Sequence, residues 1–260
     1  MKRTKITPDL TVFPAELCPL MLGADVYDSS CSPEARVWFI DRDGGLFLKR
    51  AAVGSLMRES ELCEYFYKKG LGTPVLTYLR DTAGGFDWLL TKRIAGEDAT
   101  HSLYLSDPRR LAVISGEILR YLHSLDGSDC PVTDRMSTYF ATVDENYRLG
   151  QYDGSYGSFK DADEAYAVTL SGRGALRCDT LLHGDYCLPN FLLDGWRFSG
   201  FIDLGGGGVG DRHVDLFWGA WTLNFNLKTD KYREIFFDAY GRELVDPEKL
   251  RIISAAECFG

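Results

Sequence analysis

The stretch from Leu181 to Asp215, LLHGDYCLPNFLLDGWRFSGFIDLGGGGVGDRHVD, constrains this chain more than any other. It sets acids, one amide and a run of glycines between two apolar segments. His183-Gly184-Asp185 follows an apolar pair, and Asn190 comes five residues after Asp185. Asp203 closes Phe198-Ser199-Gly200-Phe201-Ile202, which reads as a strand. Taken singly, such acids and amides serve as helix caps and turn formers, and a glycine run is a loop. The ordered set, with His183, Pro189 and the later Asp211 and Asp215, asks for more than capping.

Phosphoryl transfer demands this set of residue types. It needs a carboxylate beside the attacking hydroxyl and oxygen ligands that hold magnesium against nucleotide phosphates. Asp185, Asn190 and Asp203 resemble, in order and in the five-residue step, the catalytic Asp and the two metal-binding residues of kinases. Magnesium takes hard oxygen donors and only one or two carboxylates, so an Asp and an Asn suit it.

In detail, HGDYCLPNFLLDGWRFSGFIDLGGGGVGDRHVDL resembles the catalytic and metal loops of the aminoglycoside 3′-phosphotransferases. The resemblance extends over most of the chain. It implies an α+β, bilobed protein-kinase-like fold, with a small antiparallel-sheet N-lobe that binds nucleotide (residues 1–95) and a mainly helical catalytic and acceptor-binding C-lobe (residues 96–260). It implies transfer of the γ-phosphate of ATP or GTP, with magnesium, to the 3′-hydroxyl of an aminoglycoside, which confers antibiotic resistance. Asp185 is then the base, and Asn190 and Asp203 are the metal ligands.

The first part of the chain carries the strand pattern that this fold needs. Arg36-Val37-Trp38-Phe39-Ile40 and Leu46-Phe47-Leu48-Lys49 flank a turn at Asp41 to Gly45. Thr73 to Leu79 and Phe86 to Leu90 flank another at Asp81 to Gly85. There is no GxxxxGK[ST] and no GxGxxG. The resemblance places Ser29, Ser30 and Ser32 over the phosphates, Lys49 at the α- and β-phosphates, and Phe47 over the base. It gives the adenine edge to the carbonyl of Lys92 and the N–H of Ile94. The stretch Gly54 to Phe66 reads as a helix capped by Ser55. In it, Glu59 matches the position that pairs with Lys49, with Glu61 and Glu64 as close rivals.

Ser106-Asp107-Pro108 opens a helix, and Leu111, Ile114, Ile118, Leu122 and Leu125 follow at helical steps. His123 is expected to be packed and hydrogen-bonded. Tyrosines, glycines and acids alternate around Tyr147 to Asp163, which reads as an exposed helical insert with a loop, and the resemblance implies Asp153, Asp161, Asp163 and Glu164 as candidates for the acceptor. Val214 to Trp221 reads as a buried helix with Asp215 bonded to the catalytic loop. The ending is similar to the family's acidic and aromatic terminus, which implies Glu257 and Phe259 at the acceptor. Charged residues usual in the family are replaced by Ala256, Phe225, Asn226 and Gly206, and Gly260 is an added last residue.

Composition bounds the rest. A formal charge of −9 argues against a nucleic-acid surface and suits a cationic partner. No apolar run reaches the roughly 18 residues of a membrane span. Seven scattered cysteines without a CxxC pair suggest reduced thiols, and the start has no apolar signal core, so the expected setting is cytoplasmic. Two other activities fit the same pattern: a kinase of another small alcohol, such as an amino alcohol or sugar, and a nucleotide-binding protein without transferase activity.

Overall fold

Residues 46–52 alternate between the buried and the open side of a sheet, and much of the first half of the molecule is arranged by that alternation. The structure, a computed structural model, describes residues 3–260. In chain order the strands are β1 (Thr4–Ile6), β2 (Asp25–Asp28), β3 (Ala35–Asp41), β4 (Leu46–Ala52), β5 (Val75–Asp81), β6 (Phe86–Lys92), β7 (Glu97–Asp98), β8 (Thr180–Leu182), β9 (Phe191–Asp194), β10 (Arg197–Phe201) and β11 (Gly208–Gly210). The α-helices are α1 (Cys18–Met21), α2 (Met57–Lys68), α3 (Ser102–Leu105), α4 (Pro108–Ser124), α5 (Arg135–Arg148), α6 (Ala162–Gly172), α7 (His213–Leu227), α8 (Arg233–Tyr240) and α9 (Pro247–Glu257). Two compact units result. One holds the residues up to 101 with 191–205, the other 102–190 with 206–260. Among the described residues no helix is long and apolar enough to cross a membrane.

The first unit is built on an antiparallel sheet ordered β1-β2-β3-β4-β6-β5. Leu46 and Leu48 of β4 turn to a core with Trp38, Ile40, Trp88 and Leu90, where the indoles of Trp38 and Trp88 stack at 5.8 Å. Phe47, Lys49 and Ala51 turn the other way, and there Ala51 and Leu89 pack with Leu56 at the start of α2. The expected cap on α2 is corrected. Ser55 Oγ donates to the carbonyl of Ala52, and the buried carboxylate of Asp87 on β6 accepts instead from the N–H groups of Gly54 and Leu56. A second small sheet, β10-β9-β7, belongs to this unit. Its β10 is tied in by the Phe201 N–H, which donates to Leu71 just after α2 at 2.7 Å, and by the edge-on rings of Phe66 and Phe201.

The second unit is mainly helical. Asp107 caps α4 by accepting from the Arg110 N–H, and Leu111, Ala112, Ile118, Leu119 and Leu122 are buried along one stripe. Met136, Tyr139 and Val143 of α5 and Ala165 of α6 join the core around Ile253 and Phe259, while most of residues 148–160 between them are exposed. One expectation changes here. The apolar run of α7 is not buried all round. Val214, Leu216 and Leu223 face inward, while Phe217, Trp218 and Trp221 are half-buried and Phe225 is exposed. The strand pair β8 and β11 carries the segment that precedes Asp185.

Candidate active site

In the first unit the charged groups converge on Lys49. Its register opposite Val37 and Leu89 aims the side chain to the α2 face of the sheet. There Nζ donates to Glu59 Oε2 at 2.8 Å and to Asp203 Oδ1 at 2.6 Å. Glu61 and Glu64 lie elsewhere on α2, and Glu59, in the first turn, is the buried one. Burial works against the ammonium charge, but the carboxylates of Glu59 and Asp203 outweigh it and hold Lys49 above its ordinary value. Asp203 stands just past β10 with φ of 59°, a left-handed conformation that Asp adopts more readily than most residues.

The other first-unit residues separate by what already holds them. Phe47 shares the face of Lys49 and is half-buried beside Phe39, with ring centroids 5.2 Å apart. Ser30 Oγ accepts from the Val37 N–H at 3.0 Å, so it fastens the loop between β2 and β3, while Ser32 is exposed on that loop. The carbonyl of Lys92 accepts from Thr73 Oγ1 at 2.7 Å and keeps one lone pair for another donor. Ile94 packs against Gly200 of β10, with no room there for a Cβ.

In the second unit, Asp185 sits between a buried hydrogen-bond network and a short 3-10 turn. Asp215, fully buried on α7, accepts from the N–H groups of His183 and Gly184 at 2.7 Å each and from His123 Nε2 at 3.0 Å. Burial disfavours the charge of Asp215, but His123 and these N–H groups outweigh it and hold the carboxyl below its usual range. Burial keeps His123 neutral, so Nε2 carries the proton to Asp215 while Nδ1 accepts from the Tyr240 hydroxyl. Gly184, at φ of 86°, lies so close to the carbonyl of Gly206 that a Cβ would collide with it. After Asp185 the turn Leu188–Asn190 brings Asn190 back, and its Nδ2 donates to Asp185 Oδ2 at 2.8 Å and to the Asp185 carbonyl at 3.0 Å.

The carboxylates expected at the acceptor are held differently. Glu257, the last residue of α9, is only 5% exposed and accepts from Tyr139 Oη at 2.9 Å and from Trp218 Nε1 at 3.2 Å. Burial pushes its carboxyl up to about 7. Asp153 accepts from the Ser155 N–H and stays exposed, whereas Asp163 accepts from Tyr147 Oη at 2.8 Å. Asp161 caps α6 through the Glu164 N–H, and Glu164 in turn accepts from the Lys160 N–H. Phe259, expected at the acceptor beside Glu257, is 2% exposed, and its ring packs among Tyr147, Tyr152 and Tyr166.

Several residues of this region escape a sequence reading. Arg135, at the start of α5, donates through Nε to the carbonyl of Gly206, and its guanidinium lies 4.9 Å from the ring of Tyr139. Tyr139 and Trp218 hold Glu257. Tyr139 shares the helical face of Met136 and Val143, so its periodicity signals only core.

The phosphotransferase enzyme family matches residues 30–253. A probable aminoglycoside 3′-phosphotransferase of Lactococcus lactis is 47% identical over 252 residues, 95% of each chain. The solved aminoglycoside 3′-phosphotransferase of type VIII is 25% identical with a TM-score of 0.75, over 92% of this chain and 94% of its own. An aminoglycoside phosphotransferase of Streptomyces rimosus, solved with ADP and streptomycin, has a TM-score of 0.72 at 23% identity, over 86% of this chain and 90% of its own. The antiparallel-sheet unit and the helical unit thus form the kinase-like α+β fold of these enzymes, and with the match spanning most of its length, the chain belongs to the phosphotransferase enzyme family.

Proposed function

We propose that this enzyme transfers the γ-phosphoryl group of ATP or GTP to the 3′-hydroxyl of an aminoglycoside and so confers resistance to it. The observation that carries the reading is the Lys49 ammonium shared between Glu59 and Asp203, the arrangement a nucleotide phosphate site needs. The relatives named above, one of them bound to ADP and streptomycin, support the acceptor class.

The residues then divide the work. Lys49 steadies the α- and β-phosphates and Glu59 fixes Lys49. Phe47 lies against the base, Ser30 and Ser32 cover the phosphates, and the backbone of Lys92 and Ile94 reads the adenine edge. Asp185 orients the acceptor hydroxyl and takes its proton, while Asn190, donating to it, keeps that carboxylate aimed. Glu257, Asp153 and Asp163 supply negative charge for a polyamine, and residues 1–95 and 96–260 serve nucleotide and acceptor respectively. Magnesium suits the donor set. Asp203 offers a carboxylate, and Asn190 spends its amide nitrogen on Asp185, which leaves its oxygen as the ligand. The ion, when bound, neutralises charge that develops on the phosphates. Seven free thiols fit a reducing, cytoplasmic setting.

The test is phosphate transfer by the purified protein with ATP and magnesium to kanamycin, to an analogue lacking the 3′-hydroxyl, and to choline and simple sugars. The reading expects product with kanamycin alone. Product with choline or a sugar only would move the acceptor to another small alcohol, and ATP binding without any product would remove the transferase activity.

A further inference from the structure

Helix α7 carries an aromatic array in which only Trp218, through its bond to Glu257, has a task so far. Phe217, Trp218, Trp221 and Phe225 lie at helical steps along one side, and Tyr156 from the segment before α6 packs against them. The Tyr156 ring is 5.6 Å from Trp218 and 5.7 Å from Trp221, and Trp221 stacks on Phe225 at 4.9 Å with the planes 12° apart. Tyr156, Phe217 and Trp218 are half-buried and pack against the core with one side only, Trp221 is half-buried, and Phe225 is 54% exposed. The row thus runs from the edge of the core to an exposed ring, and aromatic faces at such an edge can take a ligand.

Two observations identify the ligand chemistry. The first is the charge around the array. Trp218 Nε1 donates to Glu257, and the Tyr156 phenol is held above its ordinary value first by burial and then by the carboxylates of Asp153, Glu257 and Asp185. The array therefore begins among carboxylates, one of them the proposed base. The second is that the outer end already holds a cation, with Lys228 Nζ 4.3 Å from the centre of the Phe225 ring. The π faces and the carboxylates favour the same kind of guest, an ammonium. An anion would be repelled by the carboxylates, and a purely apolar ligand would leave them unused.

We propose that Tyr156, Trp218, Trp221 and Phe225 form the specificity-determining wall of the acceptor site. They take an amino sugar ring laid flat against the indole of Trp221, with one ammonium over the aromatic faces and another toward the carboxylates. This inference rests on the aminoglycoside reading above and adds to it the part of the acceptor that sets affinity. The wall works through face contact, so Phe at 221 keeps part of it and Ala removes it.

Steady-state kinetics of the full-length enzyme with kanamycin and ATP test the proposal. In Trp221→Ala the KM for kanamycin should rise about tenfold, with the KM for ATP unchanged. Trp221→Phe should recover most of the loss, and Phe225→Ala should show a smaller rise in the same parameter. A kanamycin KM that stays put in Trp221→Ala, or an equal rise in both KM values, overturns the wall. Should the wild type turn over no aminoglycoside, the functional reading fails by itself. Tryptophan fluorescence titrated with kanamycin then decides the wall alone: quenching that Trp221→Ala abolishes supports it, and an unchanged signal in the wild type overturns it.

Discussion

The two clusters of charge in this enzyme are built on opposite principles. Around Lys49, one cation answers two carboxylates within 2.8 Å, which leaves a net negative charge for a ligand cation to meet. Around Glu257, a carboxyl is packed among aromatic side chains, held by two neutral donors, and raised to about 7. The first arrangement is rigid and chemical: it fits a phosphate-and-metal partner that hardly varies. The second is a desolvated surface whose charge depends on its occupant, which suits the discrimination of one acceptor from another.

If that contrast holds, substitutions near the chemistry should act on turnover, and substitutions near Glu257 on acceptor affinity or on stability. The largest effect belongs to Asp185. Its replacement by Ala should lower kcat by about 10³-fold or more while nucleotide affinity is retained, as rapid kinetics and calorimetry would show. Retained turnover would remove Asp185 from the role of base. Next comes Asp215, whose buried carboxylate accepts from two backbone N–H groups and from His123. Asp215→Asn sets an amide N–H against one of those donors and should cost about 3–5 kcal/mol of stability, measured by urea unfolding. A stability equal to wild type would show that the network is not what holds the Asp185 loop.

Within the Lys49 group the effects should be graded. Lys49→Ala is expected to lower kcat/KM for ATP about 100-fold, and Glu59→Gln about tenfold, because Asp203 remains to orient the ammonium. Equal losses would mean that Glu59 does more than hold Lys49.

How much of this was readable follows from how far apart the partners are. Asp185, Asn190 and Asp203 lie within one stretch, and the chemistry restricts each to one or two residue types, so order and spacing expose them. Lys49 and Glu59 are legible from a strand and a helix that follow one another. The cap on α2 is not, because Asp87 accepts from Leu56 across 31 residues while Ser55, the local alternative, bonds to the turn before it. Nor are the partners of Glu257, since Tyr139 is 118 residues away and its periodicity looks like core. The row on α7 misleads for a related reason. An apolar residue at helical spacing states that it prefers to leave water, but not whether the protein or a ligand covers it.

The last effect concerns pH and separates the two clusters most cleanly. Burial raises the folded-state value of Glu257 from 4.5 to about 7. A carboxyl raised in this way stabilises the fold fully while the unfolded chain also keeps it protonated, below 4.5, and that stability is lost as pH rises through about 7. The Gln variant has no proton to lose. Between pH 5 and pH 7 the wild type should therefore weaken relative to Glu257→Gln by about 2 kcal/mol in urea unfolding. Glu59→Gln is the wrong control for this, because Lys49 already answers that carboxylate. Parallel pH profiles for wild type and Glu257→Gln would mean that Glu257 keeps its charge when buried and that the two clusters are alike after all. A gap that closes only when kanamycin is present would mean the opposite, with the ammonium of the acceptor adding to the charge that Arg135 alone supplies to Glu257 in the folded enzyme.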